Sequence, residues 1–183
     1  VVVPSKLIPF WARETVKWKP NLRVVKTPEY CSSEELPTRE EWRNADVVVG
    51  GSFTPPLGAK TAKTTRGDSK LCWPPSCWLR ILPYEAFWRY DIMEEIFKCN
   101  VRMVAFDEVK GFEDPESRTA KMLREWRTHT PELFVLPIAG TLFSASVRNA
   151  ANFLQCVGFA EVQPTCGSIQ DVLGTCLLLS LIH

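Results

Sequence analysis

Val101-Arg-Met-Val-Ala-Phe106 runs directly into Asp107-Glu108, and the rest of the chain reads outward from these eight residues. The first six are apolar nearly throughout, the pattern of a strand in a sheet covered on both faces. Downstream, Ala120, Met122, Leu123 and Trp126 mark a helix, Leu133-Phe-Val-Leu136 a strand, and Val147, Ala150, Ala151 and Leu154 a further helix that Ser144 or Ser146 could cap. Upstream, Ile92, Met93, Ile96 and Phe97 form a helical stripe, and Asp46-Val-Val-Val49 is a strand closed by Gly50-Gly51. Earlier still, Leu22-Arg-Val-Val25 and Val1-Val2-Val3 read as strands. Leu7, Trp11, Thr15 and Trp18 give a helix with one apolar stripe, ended by Pro20, and residues 38–44 a short helix after a polar loop. Strands alternating with helices predict an α/β fold with a mainly parallel sheet. No internal repeat is present.

The 183 residues are 45% hydrophobic and 23% charged, which excludes a chain disordered throughout. Twenty-two cations against 21 carboxylates exclude a strongly basic coat or an acidic tail. Seven cysteines, odd in number and without a Cys-x-x-Cys, argue for reduced thiols rather than a disulfide framework. With two histidines only, a zinc site would lean on scattered thiols. No run of about 18 apolar residues is present, so no membrane span is expected. Residues 54–78 are punctuated by Pro55-Pro56, Gly58, Gly67 and Pro74-Pro75, and carry Lys60, Lys63, Arg66 and Lys70 against Asp68. They read as an insertion loop, either simply solvated or a contact surface for a phosphate backbone. The seven tryptophans could stack bases, but their places on helix stripes and beside prolines suit core packing. Residues 161–183, interrupted by Gly167 and Gly174, read as a tail in which 172–182 could form a helix.

Asp107 and Glu108 carry the clearest chemistry. In open α/β sheets, ligands bind outside the carboxyl ends of the strands. There, a first carboxylate can hold Mg²⁺, directly or through water, while a second polarises an attacking water.

The order of motifs around that pair resembles the first ATPase lobe of the Swi/Snf-type helicase-like proteins, double-stranded-DNA translocases of chromatin remodelling and repair. Asp107-Glu108-Val-Lys110 stands where the family has Asp-Glu-Ala-His, and Gly111-Phe-Glu-Asp-Pro-Glu-Ser117 leads into the next helix. Ala139-Gly140-Thr141-Leu142 stands for Thr-Gly-Thr-Pro, and Asn149 to Phe159 resembles the helix and Leu-Gly-Phe-like turn that follow. Val1-Val-Val-Pro4 with Leu7 and Trp11 resembles the family's second motif, and Asp46-Val-Val-Val-Gly-Gly-Ser-Phe53 its Asp-Val-Val-Ile-Thr-Thr-Tyr.

The resemblance covers residues 1–160 and implies a three-layer RecA-like (P-loop NTPase) lobe, fragmentary and degenerate. It implies ATP and Mg²⁺ as cofactors, double-stranded DNA or chromatin and a second RecA-like lobe as partners, and the nucleus as location. By it, Asp107 and Glu108 are catalytic, Asp107 holds the metal, and Gly140 and Thr141 couple nucleotide state to DNA. Pro4, Ser5, Lys6, Gly50 and Gly51 would contact nucleic acid.

The departures from the family pattern bear on activity. The first strand and its Gly-Lys-Thr phosphate loop belong before Val1, and the chain is expected to lack them, along with the second lobe and its arginine finger. Gly58-Ala-Lys-Thr61 is no substitute, because its Lys does not follow Gly and no apolar strand leads into it. Lys110 replaces His, and Gly50-Gly51 replace a Thr pair. Two functions stay open: part of an ATP-hydrolysing translocase, inactive as this chain alone, or a non-catalytic module that binds DNA or protein. A truncated product without a settled role is the third possibility.

Overall fold

The structure, a computed structural model, describes residues 1–51, 73–109, 111–140 and 147–158. The basic stretch 52–72, Lys110, Thr141, the capping serines 144 and 146, and the tail 161–183 lie outside the described residues. The chain divides into two compact units, Val1–Cys99 and the residues from Asn100 onward. Each combines helices with parallel strands, the α/β class that the alternating pattern predicts and one consistent with a RecA-like lobe.

In the first unit, β1 (Val2–Val3) leads through a 3-10 turn into α1 (Ile8–Trp18) and β2 (Val24–Lys26). Then come α2 (Arg39–Arg43), β3 (Val47–Val49), β4 (Leu79–Pro83), α3 (Tyr84–Phe87) and α4 (Tyr90–Lys98). The strands lie in the order β2-β3-β4-β1, and every pairing is parallel. Alternation along β3 divides the core. Val47 and Val49 face α1, packing with Val3, Ile81, Ile8 and Ala12. Val48 faces the other way, with Val25, Trp42 and Ala45. Helices therefore cover both sheet faces, which is why an unbroken Val-Val-Val is favourable at β3. The helix at α2 is only five residues long, and it starts where Thr38 and Glu41 form a reciprocal capping box.

Three sequence expectations need correction. The stripe Leu7–Trp11–Thr15–Trp18 is not the buried face of α1. Ile8 and Ala12 are buried, Leu7 and Trp11 pack only partly, and Trp18 is 82% exposed. The helix begins at Ile8 with Pro9 in its first turn, where a missing N–H costs nothing, so its inward face is turned by one residue. Second, β4 was not anticipated, although it lies between β3 and β1. Arg80 breaks its apolar run and Pro83 ends it, a combination that argues against an interior strand. Both are accommodated. Pro83 sits at the strand's end, and the Arg80 guanidinium bonds Glu95 at 3.0 Å and the Gly50 carbonyl at 3.4 Å, 5.0 Å from the centre of the Trp73 ring. Third, the strand expected at 101–106 begins two residues later.

In the second unit, β5 (Met103–Asp107) pairs in parallel with β6 (Phe134–Ile138), with α5 (Arg118–His129) between them and α6 (Val147–Val157) after. Val104, Ala105 and Phe106 are buried, as is Val135. Met103 and its register partner Phe134 are exposed, so the start of β5 is not covered on both faces. Among the described residues, no helix is long and apolar enough to cross a membrane.

Arg80 and Glu95 are both nearly inaccessible. Removing one partner of such a pair strands the other charge, whereas replacing both does not. Glu95→Met is expected to cost about 3 kcal/mol in urea unfolding, and Arg80→Met with Glu95→Met clearly less than that single change. Acid stability has a separate source. Arg23 grips Asp46 through its side chain and backbone N–H, holding that carboxyl at about 2 against an ordinary 3.8. The stabilisation is complete above pH 3.8 and is lost as pH falls through that window towards 2. Asp46→Asn should flatten this acid limb of the urea midpoint and leave the neutral limb parallel.

Candidate active site

Parallel strands bring their carboxyl ends, and the turns that follow them, to one edge of a sheet. In the second unit that edge carries Asp107, the last residue of β5, and Glu108. Asp107 stands opposite Ile138, so Gly140 follows two residues beyond its register partner. The acidic pair and Gly140 therefore leave adjacent strands at the same end. Thr141 and Lys110 lie outside the described residues.

The pair is held from below and from the side. Phe106 is fully buried against Phe112, edge to face at 5.1 Å, and Phe112 contacts Phe153 of α6 at 5.7 Å. The segment after Glu108 is tied down in turn. Ser117 donates to the Gly111 carbonyl and caps α5 by accepting from Ala120 N at 3.1 Å. Asn152 donates to the Glu113 carbonyl at 2.9 Å, and Asn149 to the Glu113 carboxylate at 3.2 Å. Gly111 has φ +77°, and a Cβ there would meet the Ser117 hydroxyl at 2.9 Å. The sequence reading missed Glu113, Asn149 and Asn152 as supports. Their only signal was two asparagines three apart on one helix face.

Glu108 has φ +48°. The left-handed region costs a residue with a Cβ about 1–2 kcal/mol. Asn100, the other such non-glycine among the described residues, sits just after α4 and is of a type that tolerates it. Glutamate is not. The turn directs the Glu108 N–H at the Asp107 Oδ1, 2.9 Å away. One Asp107 oxygen is thus engaged by the backbone. Both carboxylates are half-buried rather than enclosed.

Two adjacent, partly accessible carboxylates fit Mg²⁺, which keeps several waters and needs only one or two protein ligands. Among the described residues, no group of three or more His, Cys, Asp or Glu could hold a metal by itself. Asp107 and Glu108 would thus supply one or two ligands, with water completing the shell.

In the first unit, Pro4, Ser5 and Lys6 follow β1, and Gly50-Gly51 follow β3, again at one carboxyl edge. Ser5 and Lys6 are exposed and Pro4 is buried. The Ser5 hydroxyl donates to Glu85 at 2.6 Å, so an incoming phosphate would have to displace a carboxylate. The Gly50-Gly51 pair does not offer the open backbone expected of it. Both residues are buried. The Gly50 N–H donates to Ile81 at 2.8 Å, and its carbonyl accepts from Arg80. A Cβ on Gly50 would fall 1.9 Å from the Thr27 hydroxyl oxygen, at φ +107°. Close packing over Thr27 explains Gly50; a Cβ on Gly51 would meet only Ala86 and Ile92, both at 3.8 Å.

In comparison with known proteins, the chain matches no protein-family model and no curated protein sequence.

The two turns differ in sign when mutated. Glu108→Gly releases the left-handed strain but adds glycine's larger loss of chain entropy on folding, for a net stabilisation of about 0.5–1 kcal/mol. Gly50→Ala meets both a clash and a strained φ, and should lose about 2 kcal/mol or more. Urea unfolding of the two variants beside the parent chain reads both signs.

Proposed function

We propose that this chain is part of the first lobe of a helicase-like, DNA-dependent ATPase, in which Asp107 would hold Mg²⁺ and Glu108 would orient the attacking water. One observation carries the reading: an Asp-Glu pair stands at the carboxyl end of a parallel strand, with the glutamate in a left-handed conformation that glutamate does not favour. Strain of that kind persists where the surroundings over-determine a side chain, and it clusters at functional sites. The motif order in the sequence supplies the reaction class. Gly140 and Thr141 would couple nucleotide state to DNA, and Pro4, Ser5 and Lys6 would lie near the phosphate backbone. ATP, double-stranded DNA or chromatin, a second lobe and a nuclear location belong to this same reading. These 183 residues carry no Gly-Lys-Thr loop and no arginine finger, so the chain by itself is proposed to turn over no ATP.

A second reading is favoured by the closed Gly50 turn: a non-catalytic module derived from such a lobe. The Gly50 N–H, which bonds the Ile81 carbonyl, cannot also bind a DNA phosphate.

Water-proton relaxation with Mn²⁺, added with and without ATP, separates the two. The ATPase-lobe reading expects one weak metal site that Asp107→Asn removes and Glu108→Gln leaves in place. Steady-state hydrolysis should be at background for the parent and for Glu108→Gln alike; turnover that vanishes in Glu108→Gln would overturn the inactivity. No Mn²⁺ binding, together with DNA binding that weakens steeply with salt, would favour the module.

A further inference from the structure

Among the described residues the first unit's sheet ends at β2, and the ladder bonds of that strand are used on one side only. Thr27 N donates to Val49 O at 2.9 Å and Val47 N to Arg23 O at 3.1 Å. In a parallel ladder, alternate residues turn their N–H and C=O to the same neighbour. Arg23, Val25 and Thr27 therefore serve β3, and the backbone groups of Val24 and Lys26 point outward. The Cys31 thiol, 3.7 Å from Lys26 O, approaches one of them. An edge with unpaired backbone groups is a template for another strand.

This edge also has a groove on each side. Val24 and Lys26 pair in register with Val47 and Val49, which places their side chains on the α1 face. There a cavity of about 850 Å³ is walled by Ile8, Ala12, Val16, Val24 and Val49. Arg23 and Val25 face the α2 side, where a second cavity of about 660 Å³ is lined by Glu35, Glu40 and Glu41. The two meet along Val24, Lys26, Cys31 and Glu35. Their characters differ. The α1 groove is chiefly aliphatic. In the α2 groove Arg23 is neutralised by Asp46, while the Glu35 and Glu41 carboxylates accept only capping N–H and hydroxyl groups. Lys26, which lines the same groove, offsets Glu35 in part, and Glu40 and Glu41 leave the balance there negative.

We infer that the β2 edge is a docking site for an extended peptide that alternates apolar and basic residues, added to the sheet as a further strand beside Val24–Lys26. Successive side chains of a strand point to opposite faces. One set would fill the aliphatic groove against α1, and the other would place ammonium or guanidinium groups among Glu35, Glu40 and Glu41. Main-chain bonds to Val24 and Lys26 supply affinity, and the two grooves fix register and sequence. The acidic pair of the second unit has no part in this, so the inference stands or falls independently of the ATPase reading.

The test uses the 183-residue chain and a fluorescein-labelled, acetylated Val-Lys-Val-Lys-Val amide, followed by anisotropy. Two versions of the peptide are N-methylated, one at the valines and one at the lysines. Only one set of N–H groups faces β2, so one version should lose about tenfold in affinity, the worth of two hydrogen bonds, and the other should bind as the parent does. A Val-Val-Lys-Lys-Val peptide should bind more weakly, and Glu40→Lys should weaken the parent peptide. Val24→Pro, which deletes an outward N–H alone, should weaken it too; the methylated peptides keep the test decisive if that variant does not fold. Three results would overturn the inference. These are no binding at millimolar peptide, equal loss from both methylation patterns, and self-association of the chain that Val24→Pro abolishes, since the edge would then belong to a second copy.

Discussion

The first unit depends on one buried cation. Arg80 lies on β4, between β3 and β1, and is 4% exposed. A charge taken out of water there costs several kcal/mol unless it is fully partnered. Its partners come from separate parts of the unit: Glu95 from α4, the Gly50 carbonyl from the turn after β3, and the face of Trp73 from the segment before β4. Meeting that one requirement fixes where α4 lies on the sheet and how the β3 turn closes. It also accounts for the glycine. The Gly50 carbonyl reaches Arg80 while its N–H reaches Ile81, and the backbone that does both passes too close to Thr27 for a side chain.

Aromatic packing plays the corresponding part in the second unit. Phe106, Phe112 and Phe153 come from a strand, a loop and a helix, and their rings meet in sequence, edge to face at 5.1 Å and tilted at 5.7 Å. The residues between the first two are Asp107 to Gly111. Asp107 and Glu108 follow directly on the first buried ring, and the stretch that leads to the second is held by the bonds to Gly111 and Glu113. This over-determination is what allows a glutamate to remain at φ +48°.

Much of this was legible in the sequence where one kind of residue had one job. The Val47–Val49 run closed by glycine, the Phe106 strand and the short helix expected at 38–44 each carry a local signal that tertiary structure does not reverse. What was illegible depended on partners distant in sequence. β4 was hidden because Arg80 reads as a surface residue until Glu95 is seen beside it. The inward face of α1 was misread because Trp18 is large and apolar, yet as the last residue of the helix it is exposed, and burial follows Ile8 and Ala12. Gly50-Gly51 read as nucleic-acid contacts because they stand where the resembled family has a Thr pair, and the letter alone does not show that Gly50 lies under a threonine. At the acidic pair, the residue types and their place after a buried strand were legible. The left-handed turn was not, since nothing in glutamate's own preferences announces it.

The two carboxyl edges thus stand in contrast. At β3, side-chain volume has been deleted and the backbone groups have been given to neighbouring strands, an arrangement that favours stability and closes the turn to a ligand. At β5, a side chain has been kept in a conformation that glycine would adopt at lower cost, and the surrounding packing sustains it. Stability alone would choose glycine at both positions. That it accounts for Gly50 but not for Glu108 is the physical reason why the proposed chemistry is placed at the second turn and not at the first.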